Sequence, residues 1–245
     1  MDTKDSVIIV TGASSGIGLC AARRFTELGA RVALVARSTE AIEEIQCDLT
    51  GSLAVTADMT NWESIRAMTE RVYSHYGKID GLINNAGRAY EATIEQIDPD
   101  IFQEIFKLNV LGPIVAMQAV IPIMREQGSG TIVNINSGTA FMKIPGYSVY
   151  SSSKRALLGV SLTAREELAK DGIVVTQVYP GMTATNFGVN KHVANLEKGA
   201  SGSGPVRDYS LGDSPESVAE LIVKAYQDGE AEYFMHERMR TVENR

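Results

Sequence analysis

A doubly wound, parallel α/β sheet with helices on both faces is expected for this chain, on three observations. Seven short apolar runs, mostly rich in β-branched residues, alternate with amphipathic stretches almost to the end. The runs are continuous rather than alternating in polarity. The first of them empties into a glycine-rich turn that opens onto a helical stretch. Continuous apolar runs are how strands covered on both faces read, because crossover helices bury both sides of a parallel sheet. Strictly alternating βα units then join through right-handed crossovers.

The expected strands are VIIV at 7 to 10, RVALVA at 31 to 36, SLAVTA at 52 to 57, GLINN at 81 to 85, TIVNIN at 131 to 136, IVVTQVY at 173 to 179 and EYFM at 232 to 235. Helix starts are signalled between them. Thr60 with Glu63 makes a capping-box pattern, and Ser214 followed by Pro215 opens the last helix. No internal repeat or interdomain linker interrupts the series, so residues 1–245 are expected to form one domain. The exception to the regular spacing is 186–212, which contains GASGSGP. A connection of that length is a functional lid or disordered; Phe187, Val193 and Leu196 give it apolar residues to dock, which favours a mobile substrate lid.

Composition narrows the partners. The chain has 245 residues, 44% hydrophobic and 22% charged, with a net charge of −7 spread along its length. Interspersed acidic charge disfavours nucleic acid or an anionic membrane surface. Its two cysteines, Cys20 and Cys47, cannot build a disulfide framework, and they lack metal-ligand spacing. His75, His192 and His236 are scattered, so no metal site is expected. The sequence runs from MDTKDS directly into the first strand without a signal-peptide pattern, and no membrane span is expected from its apolar runs. A cytoplasmic location is the resulting expectation.

The glycine-rich turn TGASSGIG places Gly12, Gly16 and Gly18 in GxxxGxG spacing between a strand and a helix. Backbone amides at a helix N-terminus attract phosphate, and missing side chains let a pyrophosphate come close. No Lys-Ser or Lys-Thr follows the last glycine, which argues against a P-loop hydrolase. The pattern points to a Rossmann-type dinucleotide site. After the second strand, where an NAD-specific unit carries an acidic residue, this chain has Ala36, Arg37 and Ser38. A guanidinium suits a 2′-phosphate through its charge and planar donors, so NADP(H) is expected over NAD(H). Asp58, after the third strand, either reaches the adenine or caps a turn.

YSVYSSSKRA, at 147 to 156, is an odd way to open a helix, since serine and tyrosine are mediocre helix formers. Tyr150 and Lys154 stand one turn apart and share a face; Tyr147 lies about 10 Å along the axis from the ammonium. An ammonium about 5 Å from a phenolate, at an effective dielectric near 20, contributes roughly 3 kcal/mol, or about two pKa units. Tyr150 is thereby suited to general acid/base work.

Together the motifs resemble the short-chain dehydrogenase/reductase family in its single-domain form. The resemblance runs from the first strand to about residue 185: TGASSGIG, Asp58, NNAG at 84 to 87, Asn109 in LNVLG, Ser137 in NINSG, YSSSK at 150 to 154 and PGMTAT at 180 to 185. It implies an active site of Asn109, Ser137, Tyr150 and Lys154. Tyr150 would exchange the proton with substrate oxygen, Ser137 would hold that oxygen, Lys154 would also bind the nicotinamide ribose, and Asn109 would help hold a water on the proton path. It also implies that Ser14, Ser15 and Ile17 join the three glycines at the cofactor, with Met59 beside Asp58. Asn84 would tie the sheet, Asn85, Ala86 and Gly87 would line the ribose, and Pro180, Gly181, Thr183 and Thr185 would meet the nicotinamide. Thr183 stands where the family more often has valine or isoleucine.

Substrate contacts are expected from Ser137, Tyr147, Tyr150, Met182 and Phe187, with Met142 a further apolar wall residue. The ending, EYFMHERMRTVENR, departs from the Asp-Gly-Gly segment of many members. A homodimer or homotetramer is expected, with dimerisation through the helices that follow residues 100 and 150. The function expected is carbonyl–alcohol interconversion. A non-catalytic dinucleotide-binding regulator is the second reading, and an epimerase is disfavoured for want of an added C-terminal domain.

Overall fold

The computed structural model describes residues 1–185, 187, 192–193, 212–237 and 239. Most of the expected lid, 186–212, lies outside these residues. Nine strands are described: β1 (Val7–Thr11), β2 (Arg31–Ala36), β3 (Leu53–Thr56), β4 (Gly81–Asn84), β5 (Tyr90–Glu91), β6 (Gly130–Ile135), β7 (Ile173–Tyr179), β8 (His192–Val193) and β9 (Glu232–Phe234). The α-helices are α1 (Gly16–Glu27), α2 (Thr39–Asp48), α3 (Trp62–Tyr76), α4 (Pro99–Phe106), α5 (Gly112–Gln127), α6 (Ser148–Leu168) and α7 (Pro215–Asp228).

Seven strands form one parallel sheet in the order β3-β2-β1-β4-β6-β7-β9. All seven expected strands appear, within a residue or two of their expected bounds. The chain order reverses between β1 and β4, so a crevice opens beyond their carboxyl ends, where doubly wound sheets bind ligands. Successive residues of β1 supply opposite faces. Ile8 and Val10 join a core with Phe25 of α1 and Tyr226 of α7, whose rings meet edge to face at 5.4 Å. Val7 and Ile9 join the opposite core with Met68 of α3 and Val120 of α5. Two-sided burial is the physical cause of the unbroken apolar runs.

Three features differ from the sequence expectation. The cap of α3 is Asn61, whose side chain accepts from the backbone N–H groups of Glu63 and Ser64, and Thr60 instead donates to Asp58. Ser214 does cap α7, with Pro215 in its first turn. A separate two-stranded parallel ribbon pairs Tyr90 with His192 and Glu91 with Val193. Finally, α4 and α5 are joined by a π-helical turn (Lys107–Leu111) into one run, Pro99–Gln127, long and apolar enough by length and composition to cross a membrane. The π turn carries the chain through Asn109 and Pro113 without a break. Ala116, Met117, Val120 and Met124 of this run are buried in the sheet's second core.

Candidate active site

The crevice at the switch point is built first by main chain. Gly12 and Gly16 have φ of +69° and +54°, the left-handed region that favours glycine. A Cβ on Gly12 would lie 2.9 Å from Asn85 Nδ2, and one on Gly18 would lie 2.5 Å from the same atom and strike the Gly12 carbonyl. Asn85 comes this close because its Nδ2 donates to the Thr11 carbonyl at 2.9 Å. Thr11 Oγ1 in turn accepts from the N–H groups of Asn85 and Ala86, both at 3.0 Å. The turn after β1 and the NNAG turn after β4 are thus stitched into one floor.

That floor fits a dinucleotide. The N-cap residue of α1, Ser15, makes no side-chain cap bond, and the first turn of α1 carries no acidic residue. Side chains of Ser38, Asn61, Asp98 and Ser214 cap α2, α3, α4 and α7. The α1 donors are left for an anion, and the absent Cβ atoms leave it room. Arg37 is exposed at the end of β2 and has no ion-pair partner among the described residues; Ser38 beside it accepts from the Ala41 N–H while capping α2. Asp58 Oδ1 accepts from the Thr60 N–H and hydroxyl, both at 2.8 Å, so one carboxylate oxygen caps the turn before α3. Met59 is buried, and its carbonyl lies 2.5 Å from where a Cβ on Gly112 would sit.

Opposite the glycine turn stands α6. Lys154 is buried, and its Nζ donates to the Ile135 carbonyl at 2.8 Å. Burial pulls its pKa from the ordinary 10.5 down to about 8. The same Nζ lies 5.8 Å from the Tyr150 ring centroid, and 3.8 Å from where a Cβ on Gly87 would project. Lysine, tyrosine and the NNAG turn therefore meet at the carboxyl edge of the sheet.

Asn109 closes the group from the π turn. Its Oδ1 accepts from the Arg88 N–H at 2.9 Å, while Nδ2 donates to the Arg88 carbonyl at 2.9 Å and to Ser153 Oγ at 3.1 Å. Both amide hydrogens are used, which offsets the penalty of burying this side chain. Any water it holds must meet its remaining acceptor capacity. Ser137 lies two residues beyond β6, and its Oγ accepts from the Thr139 N–H at 3.2 Å and the Thr139 hydroxyl at 3.1 Å. Two accepted bonds leave its own hydrogen available to donate.

On the substrate side, Tyr147 and Tyr150 are buried in a cluster with Ala89. The Tyr147 hydroxyl donates to Glu91 at 3.3 Å, and the Phe187 ring stands 5.8 Å from that of Tyr150. Phe187, Met182 and Met142 are all exposed large apolar side chains. After Pro180, the Gly181–Thr185 segment forms a short strap. Thr183 is buried and bridges to Asp213, and the Thr185 side chain lies 3.2 Å from where a Cβ on Gly16 would sit. The strap therefore reaches the glycine turn.

Residues 6–195 match the short chain dehydrogenase family. This chain belongs to that family. It is an oxidoreductase with an NAD(P)-binding Rossmann fold, as in solved structures of short-chain dehydrogenases. It is 32% identical over 234 residues to dehydrogenase/reductase SDR family member 7B of Mus musculus, covering 92% of this chain and 72% of the relative. Two similar solved structures carry a cofactor. A 3-ketoacyl-(acyl-carrier-protein) reductase from Brucella melitensis, complexed with NADH, is 25% identical with a TM-score of 0.84, covering 95% of this chain and 97% of that one. A metagenomic short-chain oxidoreductase in complex with NADP is 26% identical with a TM-score of 0.77, covering 96% and 98%.

In this short-chain dehydrogenase Thr11, Thr139 and Ser153 position the site, although no motif singles them out individually. Thr11 and Thr139 fix the glycine turn and Ser137, and a serine two residues before a threonine is a legible turn pattern. Ser153 is buried and joins Asn109 to the Tyr150 carbonyl, to which it donates at 2.7 Å. This accounts for one of the serines in YSSSK. Asn84 donates to Asn134 Oδ1 at 2.8 Å across β4 and β6, so it does tie the sheet.

Proposed function

We propose that this chain is an NADP(H)-dependent oxidoreductase interconverting a small-molecule carbonyl and a secondary alcohol, with Tyr150 as the general acid/base. One observation carries the reading: a buried lysine amine, held by the Ile135 carbonyl, lies beside the Tyr150 ring at the edge of the dinucleotide crevice.

When bound, the cofactor would supply or accept the hydride. The chain's residues would do the rest. Gly12, Ser14, Ser15, Gly16, Ile17 and Gly18 would cradle the pyrophosphate, and Arg37 with Ser38 would take the 2′-phosphate. Asp58 and Met59 would border the adenine, Asn85 to Gly87 the ribose, and Pro180, Gly181, Thr183 and Thr185 the nicotinamide. Ser137 would donate to the substrate oxygen while Tyr150 gives that oxygen its proton in reduction and removes it in oxidation. Lys154 favours the phenolate by charge, and Asn109 holds the backbone behind it. Tyr147, Met182 and Phe187 would wall the substrate.

The direct test is NADPH consumption across a panel of aldehydes, ketones and diketones. Turnover of at least one is expected. Tight NADPH binding with no turnover of any would favour a non-catalytic regulator.

Cofactor choice rests on Arg37. Charge-assisted bonds to a phosphate are worth about 1.5–3 kcal/mol, so Arg37→Ala should raise KM for NADPH about 10- to 100-fold and leave NADH nearly unchanged. Steady-state kinetics with both cofactors reads this out. A wild-type chain that turns over NADH as well as NADPH would remove the preference.

A homodimer through α4, α5 and α6 is also proposed. An apolar groove runs between α5 and α6, lined by Ile114, Met117, Ile121, Val160 and Leu168. Sedimentation at micromolar concentration should give a dimer or a tetramer built from it; a monomer would refute the assembly.

A further inference from the structure

Asp213 and His236 lie outside every motif in the sequence, yet they meet beside the strap. His236 Nε2 and Asp213 Oδ2 are 2.9 Å apart. The Asp213 main chain brackets the strap: its N–H donates to the Met182 carbonyl at 2.7 Å, and its carbonyl accepts from the Ala184 N–H at 2.9 Å. The pair also stands against Gly181, where a Cβ would lie 2.5 Å from the Asp213 carboxylate and 3.1 Å from the His236 ring. The carboxylate has no duty at the adjoining helix, since Ser214 accepts from the Ser217 N–H to cap α7.

His236 is anchored in its turn. The Met235 N–H donates to the Tyr179 carbonyl at 3.1 Å, and the Met239 N–H donates to the His236 carbonyl at 2.9 Å. Met239 Sδ then sits 3.1 Å from where a Cβ on Gly138 would project, one residue beyond Ser137. One C-terminal turn thus braces both the strap and the Ser137 turn.

We infer that the Asp213–His236 pair is a clip that positions the Gly181–Thr185 strap, so that these two residues set the placement of the nicotinamide end of the cofactor. The inference rests on the function proposed above. Its reach is specific: a clip on this strap would bear on the nicotinamide half, while the glycine turn would hold the pyrophosphate and Arg37 the 2′-phosphate.

The test compares wild type, His236→Ala and His236→Gln, whose amide keeps an N–H donor. Binding is measured for NADPH and for 2′-phospho-ADP-ribose, which has the adenine half and lacks nicotinamide, alongside kcat and melting temperature. His236→Ala is expected to fold, to weaken NADPH about tenfold relative to the fragment, and to lower kcat about 10- to 100-fold, as misplacement of reacting groups does. Gln should recover most of both losses. Equal weakening of the two ligands, no weakening of either, failure of Gln to restore, or an unfolded alanine variant would each overturn the inference while leaving the proposed function standing. A wild-type chain that binds neither ligand would remove that function, and this inference with it.

Discussion

Tyr150→Phe should lower kcat by about 10²- to 10⁴-fold, the range for losing a general acid or base, while the Kd for NADPH stays within about twofold. The two readouts separate because of where the ring sits. Tyr150 is 7% exposed and packs with Ala89 and Tyr147. Phenylalanine fills the same space, so the substitution removes the hydroxyl and little else. Single-turnover NADPH oxidation followed by absorbance measures the step, and fluorescence titration measures binding. A variant that retains turnover would take this tyrosine out of the chemistry.

Lys154→Met is expected to act on catalysis and stability in opposite directions. Without the amine the phenolate loses the positive charge beside its ring, and kcat should fall by about 10²-fold or more. For the apo protein, burial holds the amine's pKa near 8 against an ordinary 10.5. Below about pH 8 the amine is protonated in both folded and unfolded chains, and the folded chain bears the full desolvation penalty of about 3 kcal/mol. As pH rises from about 8 to 10.5 the unfolded chain binds more protons, so the penalty is relieved. The methionine variant should therefore melt higher than wild type at neutral pH, and the gap should close toward pH 10. Reduction by the wild type should also weaken as pH rises through about 8, where the amine loses its charge. A variant melting lower than wild type at pH 7 would contradict the burial account.

Much of the architecture was legible because two-sided burial leaves a local mark. Val7 to Val10 need opposite cores, and an unbroken apolar run is the only way to supply both. Gly12, Gly16 and Gly18 are likewise legible, since a turn that approaches Asn85 this closely excludes side chains. Features that depend on long-range pairing were not. The Tyr90–Glu91 ribbon finds its partner about a hundred residues away and is too short to carry a periodic pattern. The Asp213–His236 contact spans 23 positions and depends on how α7 and β9 return to the sheet. Thr60 and Asn61 are both good capping residues, so the sequence locates the cap of α3 only to within one residue; Asp58 engages the threonine and leaves Asn61 to cap. The apolar middle of Pro99–Gln127 reads as helical through Asn109, but the full length of the run does not show, because it depends on the π turn that joins α4 to α5 and on the bonds from Asn109 to Arg88 and Ser153.

A crystal structure with NADP⁺ and an unreactive alcohol bound tests the central arrangement most directly. It should show the Tyr150 hydroxyl within about 2.6–3.2 Å of the alcohol oxygen, with Lys154 beside the nicotinamide ribose. Those side chains turned apart, or a cofactor seated away from them, would contradict it.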